Sequence, residues 1–298
     1  MTLARRPRRT LFTVAGGAAV AALLLASCAP QDDASDDPTT EGAGSGADDC
    51  ATEDLPLFKP GRLTIGTDDP AYPPWFAGND PSNGKGYEGA VAYAVAEEMG
   101  FTPDQVTWVT VPFNASYQPG PKDFDFDINQ ISITPKRSEQ VTFSRGYYSA
   151  AQAVITMTDS PFADSTSMAD LADAKIGAQV GTTSLEAIDT EIQPTQDAAV
   201  FDDTNAATKA LENGSVDAIV ADLPSAFYIT AAVLSGSTIV GQFQPMTGET
   251  EQFGLLFEQG NPLVTCVDRA LDTLDSNGTL TKLEQRWLSD TVDVPVLS

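Results

Sequence analysis

The sequence predicts an α/β protein built as two lobes, each with a mainly parallel sheet flanked by helices. Two observations support this prediction. Short apolar strands alternate with amphipathic helices, and the folded part, about 240 residues, is long for a single sheet of this kind. In the first lobe, we predict strands at Leu63–Gly66, Val106–Val111 and Phe126–Gln130 and a helix at Ala90–Met99.

The second lobe follows the same alternation. We predict strands at Lys175–Gln179, Ala198–Phe201 and Val216–Val220, and helices at Leu185–Ile192, Asn205–Glu212 and Pro224–Leu234. A last helix is predicted to begin near Asn261, because apolar side chains recur there at helical spacing. We expect this stripe to lie in the core; its members are Leu263, Val267, Ala270, Leu271 and Leu274.

The N-terminus has the pattern of an export signal. Four arginines precede an apolar stretch from Leu11 to Ala26, which is too short to span a membrane comfortably. The stretch ends in Leu25-Ala-Ser-Cys28, which resembles a bacterial lipobox. We therefore predict a lipoprotein signal peptide over residues 1–27 and a lipid on Cys28. An ordinary secretory signal with an incidental cysteine is the alternative, and the general secretory and twin-arginine routes both stay open.

The charge balance excludes some partners. The chain has 16 Lys and Arg against 42 Asp and Glu, and removal of residues 1–27 leaves 12 basic residues. Such an acidic protein repels nucleic acid and anionic headgroups, so we expect membrane attachment through the lipid alone. Residues 28–55 are polar and acidic, and are predicted to form a disordered tether.

The remaining cysteines and the absence of histidine bear on chemistry. If Cys28 carries lipid, Cys50 and Cys266 form an even pair in an exported protein, and we predict a disulfide between them; two free thiols are the alternative. With no histidine and no cysteine pair at ligand spacing, the sequence predicts no metal site and no cofactor, and it lacks the usual catalytic triads.

One arginine needs an explanation in a chain so poor in basic residues. Arg137 follows a strand-like segment and stands near Ser132 and Thr134. A guanidinium binds a carboxylate through two parallel hydrogen bonds, and neighbouring hydroxyls complete such a site. Arg137 is therefore a candidate anion anchor. The alternative is a surface ion pair with Glu139 or another nearby acid.

Two other positions are suited to binding a charged ligand. The turn Gly181-Thr182-Thr183 precedes a predicted helix, where exposed N–H groups attract anions. Asp222 stands at the end of a predicted strand, and ligands of open α/β sheets bind beyond such strand ends. Capping of the following helix is the alternative role for Asp222, and both roles are compatible.

Several motifs, in order, resemble those of bacterial extracellular solute-binding proteins of family 3, the binding lipoproteins of polar amino-acid ABC transporters. The resemblance extends from about Leu57 to Leu288. The motifs are Leu63-Thr-Ile-Gly-Thr-Asp, Gly86-Tyr-Glu-Gly-Ala, Ile133-Thr-Pro-Lys-Arg-Ser-Glu-Gln-Val-Thr-Phe-Ser, Gly181-Thr-Thr and Val216-Asp-Ala-Ile-Val-Ala-Asp.

The resemblance implies a two-lobed, periplasmic-binding-protein-like fold of type II with a ligand cleft between the lobes. The chain would cross between the lobes near Ala150–Val154 and Gln252–Leu255. Residues 56–152 and 255–298 would then form lobe 1, and residues 153–254 would form lobe 2. Closure would be a hinge motion.

The resemblance also assigns roles to residues. Arg137 would clamp the α-carboxylate of an amino acid with help from Thr183 and Thr182, and Asp222 would bind the α-ammonium. The remaining candidate ligand contacts are Ser132, Gln130, Asp69, Tyr72 and Trp75. Tyr72 would cover the ligand; Trp75 or Phe76 would do so instead, or would pack under the loop. Glu88 is expected to be structural.

One segment departs from the family pattern. Val111 to Asp123 contains three prolines and a glycine where the family usually has an amphipathic helix. Because proline inside a helix costs about 3 kcal/mol, we predict an irregular loop near the mouth of the cleft. The side-chain specificity of the family is therefore not transferred; Asp69, Asn129 and Gln130 suggest a polar or cationic ligand side chain.

These observations favour a binding protein and not an enzyme. The expected role is capture of a polar amino acid outside the cytoplasmic membrane and delivery to the permease and ATPase of an ABC importer, by a monomer attached to the membrane through its lipid. The alternatives are an enzyme on the same fold, such as an amino-acid-like dehydratase with Glu88 as the only candidate catalytic acid, and a ligand-sensing lipoprotein.

Overall fold

The computed structural model describes residues 50–244, 251–288 and 294–297 of the 298-residue chain. The predicted signal peptide, the lipid attachment at Cys28 and most of the predicted tether lie outside the described residues. Within the described ranges, no helix is both long enough and apolar enough to cross a membrane.

The strands and helices alternate along the chain as predicted. The first part contains β1 (Leu63–Thr67), α1 (Tyr87–Glu98), β2 (Val106–Thr110), α2 (Phe113–Ser116), β3 (Phe126–Asp127), α3 (Pro135–Ser138) and β4 (Thr142–Ser149). The middle part contains β5 (Gln152–Met157), β6 (Ile176–Gln179), α4 (Thr183–Ala187), β7 (Ala199–Phe201), α5 (Thr204–Glu212), β8 (Ala218–Asp222), α6 (Leu223–Tyr228) and β9 (Ser237–Phe243). The last part contains β10 (Gln252–Phe257), α7 (Leu263–Ser276) and α8 (Thr279–Leu288).

The strands form two five-stranded sheets, with the orders β2-β1-β3-β10-β4 and β7-β6-β8-β5-β9. The chain passes from the first sheet to the second between β4 and β5, and returns between β9 and β10. This is the predicted two-lobed type II fold. The sheets are mixed, however, because β10 runs antiparallel to β3 and β4, and β5 runs antiparallel to β8 and β9. The strands on either side of the crossings therefore account for the departure from a mainly parallel sheet.

Apolar packing on the first sheet follows the sequence pattern. The predicted stripe on α7 is buried, with Leu263, Val267 and Leu271 fully inaccessible to solvent. These side chains pack with those of α1 and with Leu63 and Ile65 of β1 in one cluster. Burial of a leucine side chain stabilises a fold by about 1.5–3 kcal/mol, so the packing of α1 and α7 on this sheet contributes directly to the stability of the first lobe.

Several element boundaries differ from the predictions. The predicted strand at Phe126–Gln130 ends at Asp127, and Gln130 adopts a positive φ of 48°, which is incompatible with a continuing strand. The helices predicted to end at Ile192 and Leu234 change after Ala187 and Tyr228 into single π-helical segments, Ile188–Ile192 and Ile229–Val233.

Two further differences concern loops and termini. The proline-rich segment after β2 contains one helical turn, α2, and is not wholly irregular. Residues 294–297 were predicted to belong to the first lobe, but they lie against the second lobe. Val296 pairs with Gln242 of β9, and Leu297 packs into the core of the second lobe.

The predicted disulfide is present. It joins Cys50, just before the first lobe, to Cys266 on α7, across 216 residues of sequence. The bond therefore fixes the start of the described chain to the helix that covers the first sheet.

Replacement of both cysteines, Cys50→Ser with Cys266→Ser, is expected to lower the free energy of unfolding by about 2–4 kcal/mol, because the cross-link restricts the unfolded chain. Urea denaturation without reductant measures this loss. Wild-type protein treated with reductant is the control and should match the double variant. Equal midpoints for the oxidised wild type and the variant would show that the bond does not stabilise the fold.

Candidate functional site

A cavity lies between the two lobes and encloses about 900 Å³, counting the solvent at its mouth. Its charged lining side chains are the acids Asp68 and Asp222; the polar ones include Asn129, Gln130, Ser132, Gln179, Thr182, Thr183, Ser184, Thr204, Asn205 and Thr208. Aromatic rings come from Tyr72, Phe113 and Tyr228. Among the described residues, no group of three or more acids and cysteines is placed to hold a metal ion.

The ends of two strands bring the acids to the cavity. Asp68 follows β1 directly, and Asp222 is the last residue of β8. Both strands are interior strands of their sheets and run parallel to a neighbour, so their carboxyl ends open on the cleft between the lobes.

Arg137 links the two lobes. Its helix α3 begins after Thr134, whose hydroxyl accepts a hydrogen bond from the Arg137 N–H at 3.2 Å. The guanidinium donates to the carbonyl of Ser132 at 2.7 Å and to the carbonyl of Gly181, in the second lobe, at 2.9 Å. The side chain is 93% buried, since only 7% is exposed. A surface ion pair with Glu139 is therefore excluded.

Two aromatic rings from the proline-rich segment cover the guanidinium. Its carbon lies 5.4 Å from the ring centre of Phe113 and 4.9 Å from that of Tyr117, both within range of a cation–π contact. Burial lowers the pKa of Arg137, while Tyr117, Glu251 and Asp222 oppose this effect. The guanidinium nevertheless stays charged, because an arginine pKa lies far above neutrality.

Gly181 allows the lobes to meet at this point. It has a positive φ of 75°, and a Cβ atom there would collide with Asn114 Oδ1 and the Tyr117 hydroxyl. Only glycine combines this conformation with so close an approach. The segment that departs from the family pattern thus packs directly on the turn before α4.

Hydroxyl groups from both lobes converge beside Arg137. Ser132 Oγ lies 3.2 Å from Thr183 Oγ1, and both hydroxyls donate to Oε1 of Glu251. Thr182 caps α4, because its hydroxyl accepts a hydrogen bond from the N–H of Leu185 at 3.1 Å. Of the predicted anion contacts, the structure therefore brings Arg137, Ser132 and Thr183 together.

Asp222 occupies the N-cap position of α6 but makes no capping hydrogen bond with its side chain. It accepts a hydrogen bond from Gln152 Nε2 at 2.8 Å instead. Burial, followed by the nearby charge of Glu251, raises the pKa of Asp222 well above its usual value. A cation bound beside this carboxyl group would favour its charged form.

Gln130 belongs to a buried acid network beneath the cavity. Its backbone N–H donates to Glu88 Oε1 at 2.7 Å, and its side-chain amide and the Tyr147 hydroxyl also donate to Glu88. Burial raises the pKa of Glu88 to about 7. Nearby, Asp127 is buried with no hydrogen-bond partner for either carboxyl oxygen in the described structure, and burial raises its pKa strongly.

The segment after β1 provides some predicted contacts and not others. Tyr72 lines the cavity, and its hydroxyl is buried. Asp69 is exposed and accepts a hydrogen bond from Asn79 at 3.0 Å, whereas its neighbour Asp68 faces the cavity. Trp75 is fully buried outside the lining and donates from Nε1 to Ser225 Oγ, in the second lobe, at 2.8 Å.

Sequence reasoning missed two polar residues at the crossings between the lobes. Gln152 begins β5 and Glu251 directly precedes β10, and Gln152 Nε2 also donates to Glu251 Oε2 at 3.0 Å. Both residues stood at or beside the segments predicted to cross between the lobes. A polar residue at each crossing was therefore the available signal for this part of the site.

Comparisons with known proteins agree with this architecture. The family model of the bacterial extracellular solute-binding proteins, family 3, matches residues 63–290. The chain is 27% identical over 226 residues to the arginine-binding periplasmic protein of Mannheimia haemolytica, covering 74% of this chain and 89% of that protein.

Two solved structures are similar in both sequence and fold. An ancestral arginine-binding protein bound to arginine is 27% identical with a TM-score of 0.62, covering 76% of this chain and 98% of that one. The ancestral amino acid-binding protein AncCDT-1, a precursor of cyclohexadienyl dehydratase, is 28% identical with a TM-score of 0.63, covering 76% and 95%.

The raised pKa of Glu88 predicts a pH-dependent stability. The folded protein keeps a proton on Glu88 up to a pKa of about 7, whereas the unfolded chain releases it near 4.5, so stability is lost as pH rises between these values. Glu88→Gln should remove about 3 kcal/mol of this loss, at about 1.4 kcal/mol per pKa unit. Urea unfolding of both proteins at pH values below and above this window measures the difference. Parallel pH profiles would mean that Glu88 titrates normally.

Proposed function

The chain belongs to the bacterial extracellular solute-binding proteins of family 3, and from this premise we propose that it binds a polar amino acid in the cleft and delivers it to an ABC importer. One observation carries the proposal. The hydroxyls of Ser132 and Thr183, two residues that line the cavity, lie beside the buried guanidinium of Arg137, and the charged residues of the lining, within the described chain, are acids. An amino acid, with one anionic and one cationic group, complements this arrangement.

In this proposal, the α-carboxylate binds to Arg137 with Ser132 and Thr183, and the α-ammonium binds to Asp222. Support comes from the donors available: a guanidinium has five N–H groups, and two carbonyls, those of Ser132 and Gly181, accept from it. Support for the ammonium site comes from the raised pKa of Asp222, because a carboxyl group that is costly to charge alone gains most from a cationic partner.

We further propose a ligand with a cationic side chain, arginine being the first candidate. The relative from Mannheimia haemolytica is named as arginine-binding, and one similar solved structure holds arginine. The acidic lining agrees with a cation. Asp68 is our candidate partner for the side-chain charge, with Tyr72 and Asn129 as neutral contacts, since both line the cavity and the Asn129 amide is buried without a partner in the described structure.

The cellular setting follows from the family and the N-terminal sequence. Members of this family are extracytoplasmic. We propose that a lipid on Cys28 holds this protein, as a monomer, at the outer face of the cytoplasmic membrane, where it meets the permease and ATPase subunits. Residues 56–149 with 252–288 would move as one lobe, and residues 152–244 with 294–297 as the other.

We propose binding without catalysis. Similarity to a precursor of a dehydratase raises the question of chemistry, and Glu88 was the candidate acid. Glu88 is fully buried, bonded to Gln130 and Tyr147, and lies outside the cavity lining. A general acid has to reach its substrate within hydrogen-bond distance, so this position supports a structural role.

Isothermal titration with L-arginine, L-lysine and L-glutamine tests the anion site. Arg137→Ala should weaken binding by about 100-fold or more, because it removes one partner of a buried charge pair. Arg145→Ala is the matched control, since Arg145 pairs with Asp272 and Asp275 on a partly exposed surface. Its dissociation constant should match the wild type. Equal effects of the two substitutions would refute the role of Arg137, provided that circular dichroism shows both variants folded.

Asp222→Asn tests the ammonium site separately. The amide keeps the shape and an acceptor oxygen but loses the charge, so the dissociation constant for the same amino acid should rise by about tenfold or more. Asp69→Asn, an exposed neighbour of the cleft outside its lining, is the control and should have little effect. Unchanged binding in the Asp222 variant would assign the ammonium to another group.

A further inference from the structure

Glu251 binds the two hydroxyls of the anion site that the proposed function gives to the ligand. Its Oε1 accepts from the hydroxyls of Ser132 and Thr183, and its Oε2 accepts from Gln152 Nε2 at 3.0 Å. The nearby charges of Glu251 and Arg137 interact, which favours the charged guanidinium. A carboxylate of the protein therefore makes two of the three contacts that the proposed function gives to the α-carboxylate of an amino acid, those with the Ser132 and Thr183 hydroxyls.

The backbone of Glu251 is held in place by a hydrogen bond, whereas its side chain is free to change rotamer. The carbonyl of Glu251 accepts a hydrogen bond from the N–H of Ala150 at 3.0 Å, so the residue is held at the point where the two crossings meet. The side chain then reaches hydroxyls of both lobes, Ser132 in the first and Thr183 in the second. Rotation about its side-chain bonds is enough to withdraw the carboxylate without moving the strand.

The nearby carboxyl group of Asp222 makes the bound position of the Glu251 carboxylate less favourable, which helps a ligand to displace it. Glu251 and Asp222 share one donor, because Gln152 Nε2 bonds to both carboxyl groups. Two neighbouring carboxylates repel each other, and an ammonium brought by a ligand would relieve that repulsion at Asp222. Ligand binding would thus replace an internal carboxylate with an external one and add the missing cation.

We propose that Glu251 is an internal ligand of the cleft: its carboxylate holds the Ser132 and Thr183 hydroxyls in the free protein and leaves when the carboxylate of the substrate arrives. This inference rests on the proposed function for the identity of the substrate. It adds that Glu251 sets the affinity, because any substrate has to compete with a group that is always present. It also gives the free protein a bond between its lobes.

Acetate tests the internal ligand without any amino acid. Glu251→Ala removes one methylene and the carboxylate, which together have the shape of acetate. Sodium acetate should raise the melting temperature of this variant above its value in sodium chloride at equal ionic strength, and should not do so for the wild type, because a ligand that binds only the folded state stabilises it. Glu186→Ala, which removes an exposed acid near Arg137, is the control and should not respond. An equal response in the wild type and the Glu251 variant would overturn the proposal.

A pair of ligands tests the competition. Agmatine is arginine without its carboxylate, so it does not need the site that Glu251 fills. In Glu251→Ala, the preference for L-arginine over agmatine should rise about tenfold, the gain expected if the internal carboxylate fills the site about nine-tenths of the time. The ratio of the two affinities is used because L-arginine and agmatine both lose the attraction of their positive charges to Glu251 in this variant. A fall in this ratio would mean that Glu251 stays in place and assists the substrate.

The two experiments separate the failure of this proposal from that of the proposed function. If acetate stabilises the Glu251 variant but no amino acid binds any of the proteins, the internal ligand stands and the assignment of the substrate is wrong. If arginine binds and depends on Arg137, but acetate has no selective effect and the ratio is unchanged, the binding function stands and the internal ligand is wrong.

Discussion

The buried guanidinium of Arg137 is the constraint on which the cleft depends. A charge taken out of water is costly unless polar groups surround it, and here the carbonyls of Ser132 and Gly181 do so from opposite lobes. Their positions follow from this need: Gly181 has to be glycine so that the proline-rich segment can pack on its turn, and that segment supplies the rings of Phe113 and Tyr117. The arrangement of the two lobes and the candidate anion site are therefore one feature.

The acidic side chains near Arg137 fall into two groups, one buried beneath the cavity and one at or beside its lining. Glu88 and Asp127 lie beneath the cavity, where burial raises their pKa values and where Glu88 holds Gln130 in its left-handed conformation. Asp222 lines the cavity, and Glu251 lies beside the crossings between the lobes, where Gln152 donates to both carboxyl groups. The chain has 42 acidic and 16 basic residues, so its net negative charge attracts cations over the whole surface. Acidic groups in the cleft would add to this attraction for a cationic ligand.

The sequence was a good guide to elements and to single candidate residues. Strand ends at Thr67 and Asp222 were predicted closely because hydrophobic alternation is a local property. It was a poorer guide to neighbours. From the sequence, Asp69 was proposed as a ligand contact, but it is the preceding residue, Asp68, that lines the cavity. Which of two adjacent side chains faces the cleft depends on the direction of the backbone after β1. Trp75 was named beside Tyr72, but its ring packs under the loop and its indole N–H reaches Ser225 in the other lobe.

The sequence by itself determined the alternating α/β pattern, the cysteine pair, and the presence of a scarce arginine and a strand-end aspartate, because each is visible within a short window of residues or in the composition. Only the tertiary structure decided which groups meet in the cleft. Arg137 bonds to a carbonyl 44 residues away, and Ser132 bonds to Glu251 across 119 residues. Contacts over such separations depend on how two sheets are joined and closed, and no local periodicity encodes that geometry.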